Sequence, residues 1–214
     1  MMSSETSLRL NLIRFPLIVG VIFIHTHSTT VGFNSGSAII GLTNDGFISL
    51  FIRNLISQEI ARIAVPIFFL ISSYLFFISF DGTYANYLKK IKARLHILLI
   101  PFLFWNIATL LVIALGQYLP STQAYFSGKN PFIASFRGID YLRYIFGIGV
   151  NPISYPFWFI RDLMLLCLIS PIIWILTKKV PYIWIGILLC CWLTNNWFLF
   201  SPNIDAVLFF SIGS

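Results

Sequence analysis

Long apolar stretches constrain this chain before anything else does. From Ile63 to Phe80 it reads IAVPIFFLISSYLFFISF, without a single Asp, Glu, Lys, Arg or His. A helix that crosses the hydrocarbon of a bilayer needs about 20 mostly apolar residues. Candidates run from about Leu10 to Thr26, Ile63 to Phe80, Leu95 to Leu115, Pro156 to Leu176 and Tyr182 to Phe200, and another opens near Asp205. In lipid every backbone N–H and C=O must find a partner within the protein, so such stretches fold as helices. The period-two alternation of a membrane β-barrel is not visible. The predicted fold is therefore all-α: a polytopic transmembrane helix bundle of about five complete spans plus the start of a sixth. A single domain, residues 1–214, takes up the chain, because the spans leave little room for a separate soluble unit. The sequence stops within the run FFSIGS, where a terminal carboxylate would sit in hydrocarbon. The expectation is a domain incomplete at its C-terminus, either a fragment or a truncated gene product.

Composition agrees. The chain is 58% hydrophobic, 17% aromatic and 10% charged, with 22 Phe and a mean hydropathy of +0.87. A soluble domain carries about 25% charged and about 45–50% apolar residues. These values exclude a soluble enzyme, a disordered chain and a nucleic-acid binder. The net charge of +7 resides in basic residues placed between apolar runs, where it acts on topology and anionic head groups. Arg9 and Arg14 precede or enter the first span, Lys89, Lys90, Lys92 and Arg94 follow the second, and Lys178 and Lys179 follow the fourth. With alternating spans all of these fall on one side, so the N-terminus is predicted to be cytoplasmic. Cys167, Cys190 and Cys191 lie in apolar stretches without CxxC or His partners, and neither zinc nor a disulfide framework is indicated.

Ionisable residues near spans are expensive and therefore informative. Eleven helical steps separate Arg14 from His25. At 100° per step they share one face of the first helix, roughly 16.5 Å apart along its axis. Arg14 lies toward the cytoplasm and His25 toward the outer half. Each also has a plain explanation: Arg14 can snorkel to head groups, and His25 can bond a nearby carbonyl. Arg62 opens the second span, with Ser72 and Tyr74 in its middle, where small hydroxyl residues serve helix packing. Trp158, Arg161 and Asp162 open the fourth span, as an interfacial aromatic anchor and a salt bridge also would. Adjacent helix positions point about 100° apart, which predicts that Arg161 and Asp162 aim at different partners and that Asp162 is free to orient His25. Glu59 can instead satisfy itself with Arg62 on its own helix face.

Four segments, in order, resemble acyltransferase family 3, the integral membrane O-acyltransferases of bacterial surface carbohydrates. RFPLIVGVIFIH matches the family's Arg, ten residues, His. RIAVPIFFLISSYLF is similar to its "vPlFFliSGyl" span, with Ser73 where Gly is usual. KKIKARLHILLIPFLFW resembles the basic stretch and Pro that open the third span. YPFWFIRDLMLLCLISP is similar to "lWFlrdLm". Members carry more spans than this chain supplies. The resemblance implies a multi-pass protein of the bacterial inner membrane that moves an acyl group, usually acetyl, from acyl-CoA as co-substrate to a hydroxyl of a cell-surface or exported carbohydrate. No bound cofactor and no metal is implied.

The chemistry fits these residues. Deprotonating a hydroxyl needs a base, and neutral imidazole suits this near pH 7. Donor phosphates need cations. His25 is the candidate base with Asp162 as its orienting carboxylate. Arg14, Lys90 and Arg94 are the candidate acyl-donor ligands. Arg62, Ser72, Tyr74, Trp158 and Arg161 are candidates for substrate contact or support. The expected partners are acyl-CoA, the carbohydrate acceptor and the lipid bilayer, with no nucleic acid; the sequence does not read out an oligomeric state. A membrane transporter or flippase of a sugar-linked substrate is the alternative, since buried Arg and His also suit translocation. An inactive truncated remnant of the acyltransferase is another.

Overall fold

The structure is a computed structural model that describes residues 12–13, 15–17, 19–21, 23–24, 30–33, 36–39, 48, 51–52, 55–126 and 131–214. Helical residues between 12 and 24 open the chain, and a short antiparallel hairpin follows, with β1 (Thr30–Phe33) paired to β2 (Gly36–Ile39). Apart from this hairpin, the regular elements among the described residues are helical. They are α1 (Ala64–Phe77), α2 (Tyr84–Tyr118), the single turn α3 (Gln123–Phe126), α4 (Gly138–Phe146), α5 (Trp158–Lys179), α6 (Pro181–Leu193) and α7 (Ile204–Ile212).

Two of these helices are long and apolar enough to cross a membrane: Tyr84–Tyr118, and Tyr155–Lys179 counted with its leading 3-10 turn. The helices Ala61–Phe77 and Pro181–Leu193 are apolar but shorter. The stretch expected to span from Tyr182 to Phe200 thus ends its helix at Leu193, where Thr194 turns its hydroxyl back to the Cys190 carbonyl at 2.7 Å and Asn195 takes a φ of 50°. Helix α2 is longer than its apolar run. Its 35 residues extend about 52 Å, against a hydrocarbon thickness of about 30 Å. The basic residues 89–94, expected in a loop, therefore lie within its first turns.

Local chemistry explains these limits. Thr83 caps α2 by accepting from the Asn86 N–H at 3.3 Å, and Asp81 accepts from both the N–H and the hydroxyl of Thr83. Those bonds hold the exposed Asp81 carboxyl below its usual range. Pro171 sits inside α5 and has no N–H for the Cys167 carbonyl one turn back. The Ser170 hydroxyl donates to that carbonyl at 2.8 Å instead, and the Tyr87 hydroxyl reaches from α2 to the next one, Leu168, at the same distance.

The short helix α7 is the centre of the packing. It touches α1, α5 and α6, and buries Ile204, Ala206, Val207, Leu208, Phe210 and Ser211. Phe69 and Phe76 of α1, Leu166 and Ile173 of α5 and Leu188 of α6 close round it as one core. Helices α1 and α7 approach closely because both are small where they meet. Ser73 donates to the Phe210 carbonyl, and a Cβ on Gly213 would lie 2.9 Å from the Ser73 Cβ. Outward, α2 presents Ile97, Ile100, Phe104, Trp105, Leu111 and Leu115. A water-soluble protein rarely shows an apolar face this long.

Candidate functional site

The bundle has two unlike ends. At one, α1 finishes, α2 begins and α5 finishes; Phe80 packs edge-on against Trp174, and Lys178 lies over the Trp174 ring. The opposite end gathers the starts of α1, α5 and α7 and the finish of α6. A cavity of about 610 Å³ opens there. Its walls include Arg62 before α1, Trp158 and Phe159 on α5, Trp192 on α6 and Asp205 on α7, together with Val21 and Ile24. Two expected site residues, Arg62 and Trp158, are therefore brought together. His25 and Arg14 lie outside the described residues, as does the side chain of Glu59. Val21 and Ile24, which lie on the sequence just ahead of His25, are at the cavity.

The sequence gives little weight to Asp205, which appears only as the start of a run. The structure puts its carboxylate in the cavity wall, where Oδ1 accepts from the Trp192 indole N–H at 2.6 Å. An acid thirteen residues beyond a Trp is too distant to read as a pair without knowing that α6 stops at Leu193 and the chain turns back.

Asp162 differs from its expected arrangement. The sequence predicts that Arg161 and Asp162 aim apart, yet Arg161 Nε donates to Asp162 Oδ1 at 3.0 Å. The long guanidinium arm folds back over the first turn, so the angle between the two Cβ directions does not decide the contact. Asp162 Oδ1 also accepts from Ser201 Oγ at 2.6 Å, and Oδ2 accepts from the Asn203 N–H at 2.8 Å. Arg161 Nη1 donates to the Gly147 and Val150 carbonyls at 2.9 and 3.1 Å, with its guanidinium over the Phe200 ring. Gly147 has to be glycine: its φ is 67°, and a Cβ would lie 2.7 Å from Arg161 Nη1. The buried pair thus pins the start of α5 to the loop after α4 and to the segment before α7. Arg161 also lines a second, mostly apolar cavity of about 450 Å³ between α2 and α5.

At the other end, Lys90 donates to the Phe76 carbonyl and to Ser79 Oγ, both at 2.7 Å, and its ammonium lies over the Phe76 ring. It caps the finish of α1, where an ammonium satisfies carbonyls that the helix leaves unpaired. Arg94 lies four residues on, on the same face of α2. Ser72 is half-buried and Tyr74 exposed, and neither is among the residues lining the two cavities. Two buried amides that the sequence did not single out do organise loops. Asn106 holds the Phe102 carbonyl and the Ser154 N–H, and Gln117 holds the Pro131 carbonyl and the Ile133 N–H.

Comparison with known proteins supplies the kinship. The chain is 31% identical over 181 residues to the succinoglycan biosynthesis protein ExoH of Rhizobium meliloti (strain 1021), covering 84% of this chain and 45% of that protein. It therefore spans about half the length of the curated relative it matches. No solved structure matches. A family model described as "Acyltransferase domain" matches residues 7–213, a range that holds both bundle ends, both cavities and every residue discussed above. The chain belongs to the acyltransferase family 3.

Proposed function

We propose that the protein is a membrane O-acyltransferase that moves an acyl group, acetyl in the simplest case, from acyl-CoA to a hydroxyl of an exported carbohydrate. The observation that carries the proposal is the cavity at the start of α5 and α7. It joins Arg62, Trp158, Trp192 and Asp205 to the part of the first helix that leads into His25. His25 takes the proton from the carbohydrate hydroxyl. The oxygen attacks the thioester carbonyl, the C–S bond breaks, and the CoA thiolate leaves and takes up the proton. Neutral imidazole is matched to that task near pH 7. The basic end of the bundle faces the cytoplasm, where acyl-CoA is made. Arg14 and Arg94 meet its phosphates there, together with the remaining N–H of Lys90, whose ammonium has three donors and uses two. The apolar outer face of α2 meets lipid of the inner membrane. The relative's part in succinoglycan biosynthesis supports a polysaccharide acceptor.

The test is made in cells. Deleting the gene should remove base-labile acyl ester from the surface polysaccharide. The complete gene should restore it, and a complete gene carrying His25→Ala should not, although the variant reaches the membrane at the wild-type level. Restoration by His25→Ala would sink the assignment of the base. A deletion that lowers polysaccharide export but leaves the acyl content of the exported material unchanged would favour a transporter.

A further inference from the structure

We infer that Asp205, held by Trp192, is the group that grips the acceptor sugar, a positioning carboxylate for a hydroxyl next to the one to be acylated, whose own proton goes to His25. The inference rests on the acyltransferase reading above and adds the acceptor's binding residues to it.

Asp205 is not occupied by holding the fold. It lies in the first turn of α7, but Asn203 already caps that helix by accepting from the Ala206 N–H at 2.8 Å. One oxygen of Asp205 accepts from Trp192, and the other has no hydrogen-bond partner among the described residues. The carboxylate is half-buried and faces the cavity. Such a group binds hydroxyls well, because an O–H donated to a carboxylate makes a short charge-assisted bond. The surrounding walls are aromatic: Tyr155, Trp158, Phe159 and Trp192 all line the same space. A sugar ring has two chemically different aspects, a hydroxyl-bearing rim and patches of C–H on its faces. A cavity that sets one carboxylate and one guanidinium, Arg62, among several flat aromatic rings matches both. The indole N–H bond also fixes the direction of the carboxylate, so the bound sugar is presented in one orientation rather than many.

The experiment uses the complete protein in membranes, acyl-CoA, and surface polysaccharide extracted from the deletion strain as acceptor. Asp205→Asn should raise the KM for the polysaccharide about ten-fold, the loss of one hydrogen bond to a charged group, and leave the KM for acyl-CoA within about two-fold. Asp205→Glu should recover part of the affinity. Trp192→Phe keeps the aromatic wall and removes the N–H, so it should raise the acceptor KM by less than Asp205→Asn does. It also covers the case in which Asp205→Asn fails to fold. An acceptor KM unchanged in both variants overturns the inference, and so does a donor KM that rises in equal proportion. If the wild-type protein transfers no acyl group to this polysaccharide, the acyltransferase reading itself fails.

Discussion

Replacing Asp162 separates a structural clamp from a catalytic partner. The carboxylate is fully buried and accepts from Arg161 Nε, Ser201 Oγ and the Asn203 N–H. Asp162→Ala strands a guanidinium that is itself only 7% exposed, and breaking a buried pair by removing one partner costs about 3–5 kcal/mol. At 2–4 °C per kcal/mol, the thermal midpoint in detergent should fall by on the order of 10 °C. Asp162→Asn keeps the shape, but one amide N–H₂ must now face a donor, Arg161 Nε or the Asn203 N–H. That conflict costs about 1–3 kcal/mol, and the guanidinium again loses its counter-charge, so its midpoint should fall by a similar amount. Arg161→Met combined with Asp162→Leu should recover much of the loss, because an apolar pair in place of a buried ion pair is often neutral. The assay is the thermal midpoint of the purified complete protein, run beside acyl transfer at a temperature below every midpoint. Transfer should survive in Asp162→Asn in proportion to the folded fraction. An unchanged midpoint with transfer abolished and a shifted pH–rate profile would refute the clamp and return Asp162 to the side of His25.

Two further perturbations probe the frame and the basic end. A Cβ added at Gly213 would lie 2.4 Å from the Leu70 carbonyl oxygen, so Gly213→Ala should cost about 1–3 kcal/mol by forcing α7 away from α1; an unchanged midpoint would show that the helices move apart freely. Lys90→Met should destabilise the protein by about 1–2 kcal/mol through two lost hydrogen bonds and also raise the KM for acyl-CoA, whereas Arg94→Gln should raise that KM and leave the midpoint alone. Thermal midpoints beside steady-state kinetics with varied acyl-CoA distinguish the two residues.

The apolar spacing of the chain shows that helices form and roughly where, because burying backbone in an apolar setting leaves few other choices. It misses how long they are. Thr83 and Asp81 start α2 ahead of its apolar run, and an apolar index reads past the turn at Thr194 and Asn195, since Trp197, Phe198 and Phe200 are as apolar as the helix before them. The basic cluster was legible as a cluster. That Lys90 reaches back to the Phe76 carbonyl was not, because it depends on α1 and α2 meeting at a tight turn. The family motifs drew attention to Arg161 and Asp162, but motif spacing carries no information on side-chain reach. Asp205 and Asn106 sit in no pattern at all: their partners, Trp192 and the Ser154 N–H, are brought to them only by the tertiary fold.

The two aspartates at this end of the bundle show how surroundings divide the labour between identical groups. Asp162 is excluded from solvent, bonded through both oxygens and neutralised by an adjacent guanidinium. A carboxylate in that state has little acceptor capacity left, and nothing can approach it without displacing Ser201 or Asn203. Asp205 is half-buried, holds one indole N–H and turns toward open space. The first, together with Arg161, ties three chain segments to one another, so altering it moves backbone. The second is tied to one side chain, so altering it changes what the cavity can hold. A transfer site needs both kinds. On the reading proposed above, the acceptor sugar is held through a neighbouring hydroxyl by a group with capacity to spare, and that group has to stay still while the proton and the acyl carbon change hands. The Arg161–Asp162 pair supplies the stillness, because Asn203, the residue that caps the helix bearing Asp205, is bonded to Asp162 through its own backbone N–H.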